Sequence, residues 1–146
     1  MHGDTSRVRR RGRSNGFTLL ELLVVMVIIG LLAGFVAPRY FSQVGKSRVK
    51  AASAQLDALD KALEQFRIDV GRLPSTEEGL AALNTAPPGI TNWEGPYLKK
   101  AVPLDPWGHP YNYAQPGTHQ NDFDLASYGR DGQVGGTGED ADLVNW

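Results

Sequence analysis

The chain has 146 residues, room for one modest domain plus a membrane segment. Its 15 basic and 16 acidic residues nearly cancel, but five arginines (Arg7, Arg9, Arg10, Arg11, Arg13) crowd the first 16 positions. Residues 17–146 keep 10 basic against 15 acidic residues, a net charge of −5 that argues against a nucleic-acid partner, and with no cysteine no disulfide staples the fold.

The arginine-rich leader is followed by an apolar run from Phe17 to Ala37. That run is 21 residues long, about what a bilayer crossing requires. Five arginines before it are expected to hold the N-terminus in the cytoplasm. Basic residues also follow the run (Arg39, Lys46, Arg48, Lys50), so the leader tips the bias. An ordinary secretory signal fits badly, because its apolar region is shorter and ends in small residues, whereas here Phe35 and Pro38 flank the best candidate at Ala37. Glu21 is the one carboxylate inside the run. A lone acid there costs roughly 2.5–3.5 kcal/mol on insertion scales, so it is expected to have a partner and a function. Gly30, Gly34 and Pro38 interrupt the outer end. Proline removes one backbone donor and clashes with the carbonyl four residues back, which predicts a kink or local melting at Pro38.

Beyond Pro38 the pattern becomes amphipathic. Ala52, Leu56, Leu59, Leu63, Phe66 and Val70 recur every three or four residues, which predicts one apolar face of a helix. Asp57, Asp60, Lys61, Glu64, Arg67 and Asp69 mark the other face, with Asp57–Lys61 favourable and Asp60–Glu64 repulsive. Gly71 is a suitable stop. Residues 17–70 therefore predict a near-continuous helix, roughly 80 Å long if unbroken. A head of about 75 further residues cannot bury such a rod. Its first half must be covered by lipid, and later by other copies of the chain.

Ser75-Thr76-Glu77-Glu78 is a capping-box pattern, expected to open a short helix through Leu83. The segment from Trp93 to Pro110 is rich in proline and reads as loop with turns. Tyr111-Asn112-Tyr113 and Asp122-Phe123-Asp124-Leu125 read as short strands, joined into a hairpin by turn residues at 115–121. From Gly129 there are five glycines in ten residues, then an acidic cluster. Asp131 stands on one side of this loop, and Asp140 and Asp142 on the other. Hard cations such as Ca²⁺ take oxygen ligands of this type, and glycines let carbonyls turn inward. The spacing is not that of an EF-hand. On chemistry alone, a Ca²⁺ site and a solvated acidic loop both remain open.

Gly16-Phe17-Thr18-Leu19-Leu20-Glu21-Leu22 resembles the class III signal of type IV pilins and pseudopilins. The resemblance implies that a prepilin peptidase cuts between Gly16 and Phe17 and methylates the new amine of Phe17. It also implies that Glu21 pairs with the N-terminus of a neighbouring subunit during assembly. Leu104-Asp105-Pro106-Trp107-Gly108, Ser127-Tyr128-Gly129-Arg130-Asp131-Gly132, Thr76-Glu77-Glu78-Gly79-Leu80 and the closing Asp142-Leu143-Val144-Asn145-Trp146 are similar to the major pseudopilin family of type II secretion. Arg130 stands where a small residue is common in that family, and Leu143 where Ile is common.

The resemblance implies an α+β, type IV pilin-like fold: a long N-terminal helix, its first half transmembrane, and a small head with a short helix, an antiparallel hairpin and a Ca²⁺-binding loop. The expected divisions are leader 1–16, transmembrane and filament-core helix 17–38, amphipathic helix 39–71, and periplasmic head 72–146. Asp131, Asp140 and Asp142 would ligate Ca²⁺ through side chains, and Tyr128 and Gln133 through backbone carbonyls. The expected role is that of a structural subunit, not an enzyme. It would be anchored in the bacterial inner membrane, then polymerised into a periplasmic filament that drives export of folded proteins across the outer membrane. Expected partners are further copies of the chain, minor pseudopilins, the peptidase, the inner-membrane assembly platform and its ATPase. Two rival classes are a type IV pilus subunit for adhesion or DNA uptake, and a membrane-anchored periplasmic enzyme. The missing cysteines argue against the first, since major pilins usually carry a C-terminal disulfide loop. The second lacks support because His109 and His119 have no evident catalytic partners, the serines no nucleophile-elbow context, and the glycine-rich tail no phosphate-loop lysine. Trp93, Trp107 and Trp146 read as core or subunit contacts.

Overall fold

The computed structural model describes residues 16–146; the five leader arginines lie outside the described residues. The chain separates into two compact units, Met1–Arg39 and Tyr40–Trp146. One helix, α1 (Leu19–Val70), contributes to both. Every residue from Gly16 to Gln43 is exposed, including the large apolar side chains of the membrane-length run. The melting expected at Pro38 is absent, because α1 continues through it. The residue four back is Gly34, and the space around it is open. Proline still leaves the helix one backbone donor short at this point.

Within the second unit, α1 buries the face anticipated from its spacing: Ala52, Leu56, Leu59, Leu63 and Phe66, joined by Ala62, with Val70 half-buried at the edge. Gly71 ends the helix in a left-handed conformation (φ 84°), its N–H reaching the Arg67 carbonyl at 2.8 Å. The surface charges behave less simply. Arg67 pairs with Glu64 (3.4 Å) and with Asp122 (2.8 Å), but Asp57–Lys61 is not among the ion pairs of the described residues. Such exposed pairs hold two flexible side chains for little gain, so one failing to close is unsurprising.

The capping box forms reciprocally: Ser75 N–H donates to Glu78 Oε2 (2.8 Å) and Glu78 N–H to Ser75 Oγ (3.2 Å). It closes a turn, however, rather than opening one continuous helix. Gly79 (φ 57°) breaks the path, and a 3-10 helix, Leu80–Leu83, follows. A bidentate Arg72–Glu78 pair (both contacts 2.7 Å) anchors the turn, and the guanidinium holds the Glu78 carboxyl down at about 2.

The hairpin consists of β1 (Asn112–Ala114) and β2 (Asp124–Ser127), antiparallel, with Tyr113 opposite Leu125. A third strand, β3 (Leu143–Val144), pairs with the other edge of β2, giving the order β1-β2-β3. All four β2 residues are buried. Tyr111 ties the sheet side to α1: its hydroxyl donates to Gln55 Oε1 at 2.6 Å, and burial, then the Asp105 charge, push its phenol up to about 12. Tyr113 donates to the Pro74 carbonyl at 2.8 Å. Trp93 packs at the core margin and donates to the Ala82 carbonyl at 3.0 Å.

Candidate functional site

The N-terminal signal is built from residues 16–21. Gly16 and Phe17 are exposed and precede α1. Thr18 and Glu21 form a capping box that the membrane-run pattern does not anticipate. Thr18 N–H donates to Glu21 Oε2 at 2.8 Å, the Thr18 hydroxyl to the same oxygen at 3.1 Å, and Glu21 N–H to Thr18 Oγ1 at 3.2 Å. The Thr-x-x-Glu spacing is the legible signal for it. Glu21 therefore has partners within its own chain, which lowers the cost of a carboxylate in an apolar segment.

The tail loop starts where β2 ends. Tyr128 is half-buried, and Gly129 turns the chain at φ 65° where a Cβ would lie 2.6 Å from the Glu139 carbonyl oxygen, so the loop closes only with glycine there. Arg130 N–H donates to that same carbonyl at 2.8 Å. The three predicted acids are held separately. Asp131 Oδ1 accepts Gln133 N–H at 3.1 Å. Asp140 receives both arms of Arg130, Nε to Oδ1 and Nη2 to Oδ2, each at 2.9 Å. Asp142 Oδ2 accepts Gly135 N–H at 2.9 Å, while its Oδ1 is buried with no partner. No group of three His, Asp or Glu side chains close enough to hold a metal occurs among the described residues. Unneutralised carboxylates repel, and here an arginine and two backbone amides take them apart. The donor set nonetheless suits a hard cation: it is all oxygen, and one of its carboxylate oxygens is buried and unsatisfied.

Glu139, which carries no sequence signal of its own, is the hub of this region. It lies in a 3-10 turn, Gly138–Asp140, and its side chain rests on α1 at Gly45, where an added Cβ would come within 2.8 Å. Glu139 Oε1 accepts the Trp107 indole N–H at 3.1 Å and faces Arg48 at 3.8 Å; Oε2 faces Arg130 at 3.6 Å. No local pattern could reveal this, because Gly45 and Trp107 are far from it in sequence.

A buried acid, Asp105, organises the Asp-Pro-Trp-Gly motif. Asp105 Oδ1 accepts Trp107 N–H (3.0 Å) and His109 N–H (2.8 Å), and Oδ2 accepts the Ser127 hydroxyl at 2.7 Å. The His109 ring lies 3.9 Å from Asp105 Oδ2 and contacts the Gly129 carbonyl at 3.1 Å, so this histidine does have a carboxylate beside it. Serine, histidine and aspartate meet here, but the fully buried serine donates to the aspartate and not to the imidazole. That arrangement braces a loop and does not activate a nucleophile. His119 contacts Asp124 Oδ2 at 2.9 Å and stacks on Trp146 (centroids 3.9 Å apart, 1° between planes). The last residues are held further by Asn145, whose Oδ1 accepts Leu125 N–H at 2.8 Å while its N–H reaches the Leu125 carbonyl at 3.1 Å. The C-terminus is thus braced by β3, Asn145 and Glu139 without any disulfide.

Residues 39–146 match the family profile described as type II secretion system (T2SS), protein G, and residues 11–37 match the prokaryotic N-terminal methylation motif. Type II secretion system core protein G of Pseudomonas aeruginosa is 44% identical over 141 residues, covering 94% of this chain and 98% of that one. The protein of the same name from Vibrio cholerae is 41% identical over 142 residues, covering 95% and 96%. Among solved structures, the major pseudopilin from the type 2 secretion system of enterohaemorrhagic Escherichia coli aligns with a TM-score of 0.57 at 32% identity, covering 73% of this chain and 92% of that one. The comparisons support the secretion reading over the pilus alternative. An apolar membrane-length helix behind a methylation motif, followed by a head that matches over its whole length, leaves one conclusion: the chain belongs to the type II secretion system protein G family.

Proposed function

We propose that the chain is the major structural subunit of a periplasmic pseudopilus that drives folded proteins across the outer membrane. The carrying observation is an unbroken helix whose first turns expose every apolar side chain and hold one capped acid five residues after Gly16. A surface of that kind needs lipid before assembly and copies of itself afterwards. Residues 17–38 anchor the precursor in the inner membrane. A prepilin peptidase cuts between Gly16 and Phe17 and methylates Phe17. Glu21 then exchanges its own Thr18 contacts for the amine of a neighbouring subunit, setting the axial register. Minor pseudopilins, the assembly platform and its ATPase are the remaining partners; the role needs neither nucleic acid nor catalysis by the chain itself. Mass spectrometry of the mature protein tests this. A first residue of N-methylated Phe17 is expected, and any other N-terminus overturns the reading.

The same proposal includes one Ca²⁺ in the tail loop. Asp131, Asp140 and Asp142 would hold it through carboxylates, and Tyr128 and Gln133 through backbone carbonyls. Its support is the all-oxygen donor set and the buried, partnerless Asp142 Oδ1. When bound, the ion supplies the positive charge that lets three acids share one loop. Because the loop's tail side carries Glu139 and β3, ordering it stabilises the head. EDTA is expected to lower the melting temperature of the full mature chain in detergent; an unchanged melt sinks the calcium assignment.

A further inference from the structure

We infer that Arg130 is a built-in competitor of the cation: its guanidinium forks onto Asp140 and holds the tail loop closed when no metal is bound, and it must leave for metal to enter. The inference rests on the calcium reading above. Both Asp140 oxygens are engaged by Arg130 at 2.9 Å, so a cation approaching either one meets the guanidinium charge beside it while the fork stands. The third guanidinium nitrogen, Nη1, faces Glu139 Oε2 at 3.6 Å, and the Arg130 backbone N–H bonds the Glu139 carbonyl at 2.8 Å. Arginine is thus bound to the hub that fastens the loop to α1 and Trp107, and it fills by charge the place a divalent ion fills by coordination. About half of the Arg130 side chain is exposed, so it can swing out into water without unfolding anything. The remaining candidate donors, Asp131 and Asp142, have only single amide partners and stay available.

Two mutually exclusive neutralised states follow, one arginine-clamped and one cation-bound. Apparent affinity falls by the fraction of molecules that are open, so a fork closed in roughly four-fifths of unbound molecules weakens calcium binding about fivefold. The test uses the full mature chain in detergent, comparing wild type with Arg130→Gln. Calorimetric titration with CaCl₂ is expected to show Arg130→Gln binding about fivefold tighter. In EDTA the same variant is expected to melt at a lower temperature than wild type. Opposite shifts separate competition from a merely structural role, which lowers both affinity and stability. Arg130→Lys, which keeps charge but loses the fork, should fall between them and replaces Arg130→Gln if that variant does not fold. Equal or weaker calcium affinity in the variants overturns the competition while leaving the loop as a calcium site. No calcium binding by any of the three proteins overturns both.

Discussion

Removing Asp105 is the sharpest single perturbation of the head. Its side chain is fully buried and takes three donors: Trp107 N–H, His109 N–H and the Ser127 hydroxyl. Asp105→Ala leaves all three without an acceptor. An unsatisfied buried donor costs about 1–3 kcal/mol, and the upper half of that range applies to Ser127, which is fully buried. Trp107 and His109 are half-buried, so water can reach them and about 1 kcal/mol each is appropriate. The sum is about 4–5 kcal/mol, a large part of a typical domain stability of 5–15 kcal/mol. At about 4–6 °C per kcal/mol for a unit of this size, it lowers the melting temperature by roughly 16–30 °C. Asp105→Asn keeps Oδ1 for the two backbone amides and offers an N–H to Ser127 Oγ, so it should cost only about 1–2 kcal/mol. Urea unfolding of the full chain in detergent, followed by tryptophan fluorescence because Trp93 and Trp107 both lie in the head, measures this. If Asp105→Ala falls within 1 kcal/mol of wild type, or Asp105→Asn is as damaging as Ala, the acceptor account of the Asp-Pro-Trp-Gly motif is wrong.

Acid should unfold the head in a defined window. In the folded chain the Glu78 carboxyl is lowered by Arg72 from 4.5 to about 2. Burial alone would raise Asp124, but hydrogen bonds from Thr118 and the His119 contact outweigh it, and its carboxyl falls from 3.8 to about 2. Lowered folded values mean that the unfolded chain binds protons first, so this stability is complete above about pH 5 and drains as pH falls towards 2. Melts between pH 6 and 2 on wild type and Asp124→Asn check it; a wild-type curve no steeper than that of the variant counts against the sign. Separately, Asp131→Ala is expected to weaken filament assembly and secretion while leaving membrane insertion intact, read by shearing assays and secreted-protein levels. Normal secretion in that variant would contradict a role for the loop in assembly.

Elements set by local pattern are legible in the amino-acid sequence alone. The apolar stripe of α1, the Gly71 stop and the Ser75–Glu78 box each depend on residues a turn or two apart, and the hairpin on two strands joined by a single loop. The illegible parts depend on distant partners. β3 is two residues long, too short for alternation to show, and exists because β2 offers a free edge and Asn145 mimics a strand residue. Glu139 reads as one more acid in a cluster, yet Gly45 makes room for it on α1. Two local departures have other causes. Thr18–Glu21 carries a plain capping spacing, but an acid in a membrane-length run directs attention to partners outside the chain. The turn at 76–79 satisfies its cap, yet Gly79 at positive φ diverts the path into a 3-10 helix.

The proposed cation would sit where a buried carboxylate oxygen is left least compensated. Three buried side-chain oxygens lack partners among the described residues: Asn84 Oδ1, Asp124 Oδ1 and Asp142 Oδ1. Asn84 is neutral, and its amide already donates to the Lys100 carbonyl at 2.9 Å, so its orphan carries no net charge. Asp124 is charged, but its other oxygen collects three partners, Thr118 N–H, the Thr118 hydroxyl and the His119 ring. Asp142 has a single amide on one oxygen, nothing on the other, and no cationic side chain among its described contacts. Two more acids stand in the same loop, one of them needing an arginine to hold it. An under-satisfied carboxylate costs most where neighbouring charge has the same sign. By that reasoning Asp142→Asn should abolish the calcium-dependent rise in melting temperature while changing stability in EDTA little, whereas Asp124→Asn should leave the calcium response intact. Thermal melts of both variants with and without calcium decide it, and a calcium response retained in Asp142→Asn would move the site elsewhere.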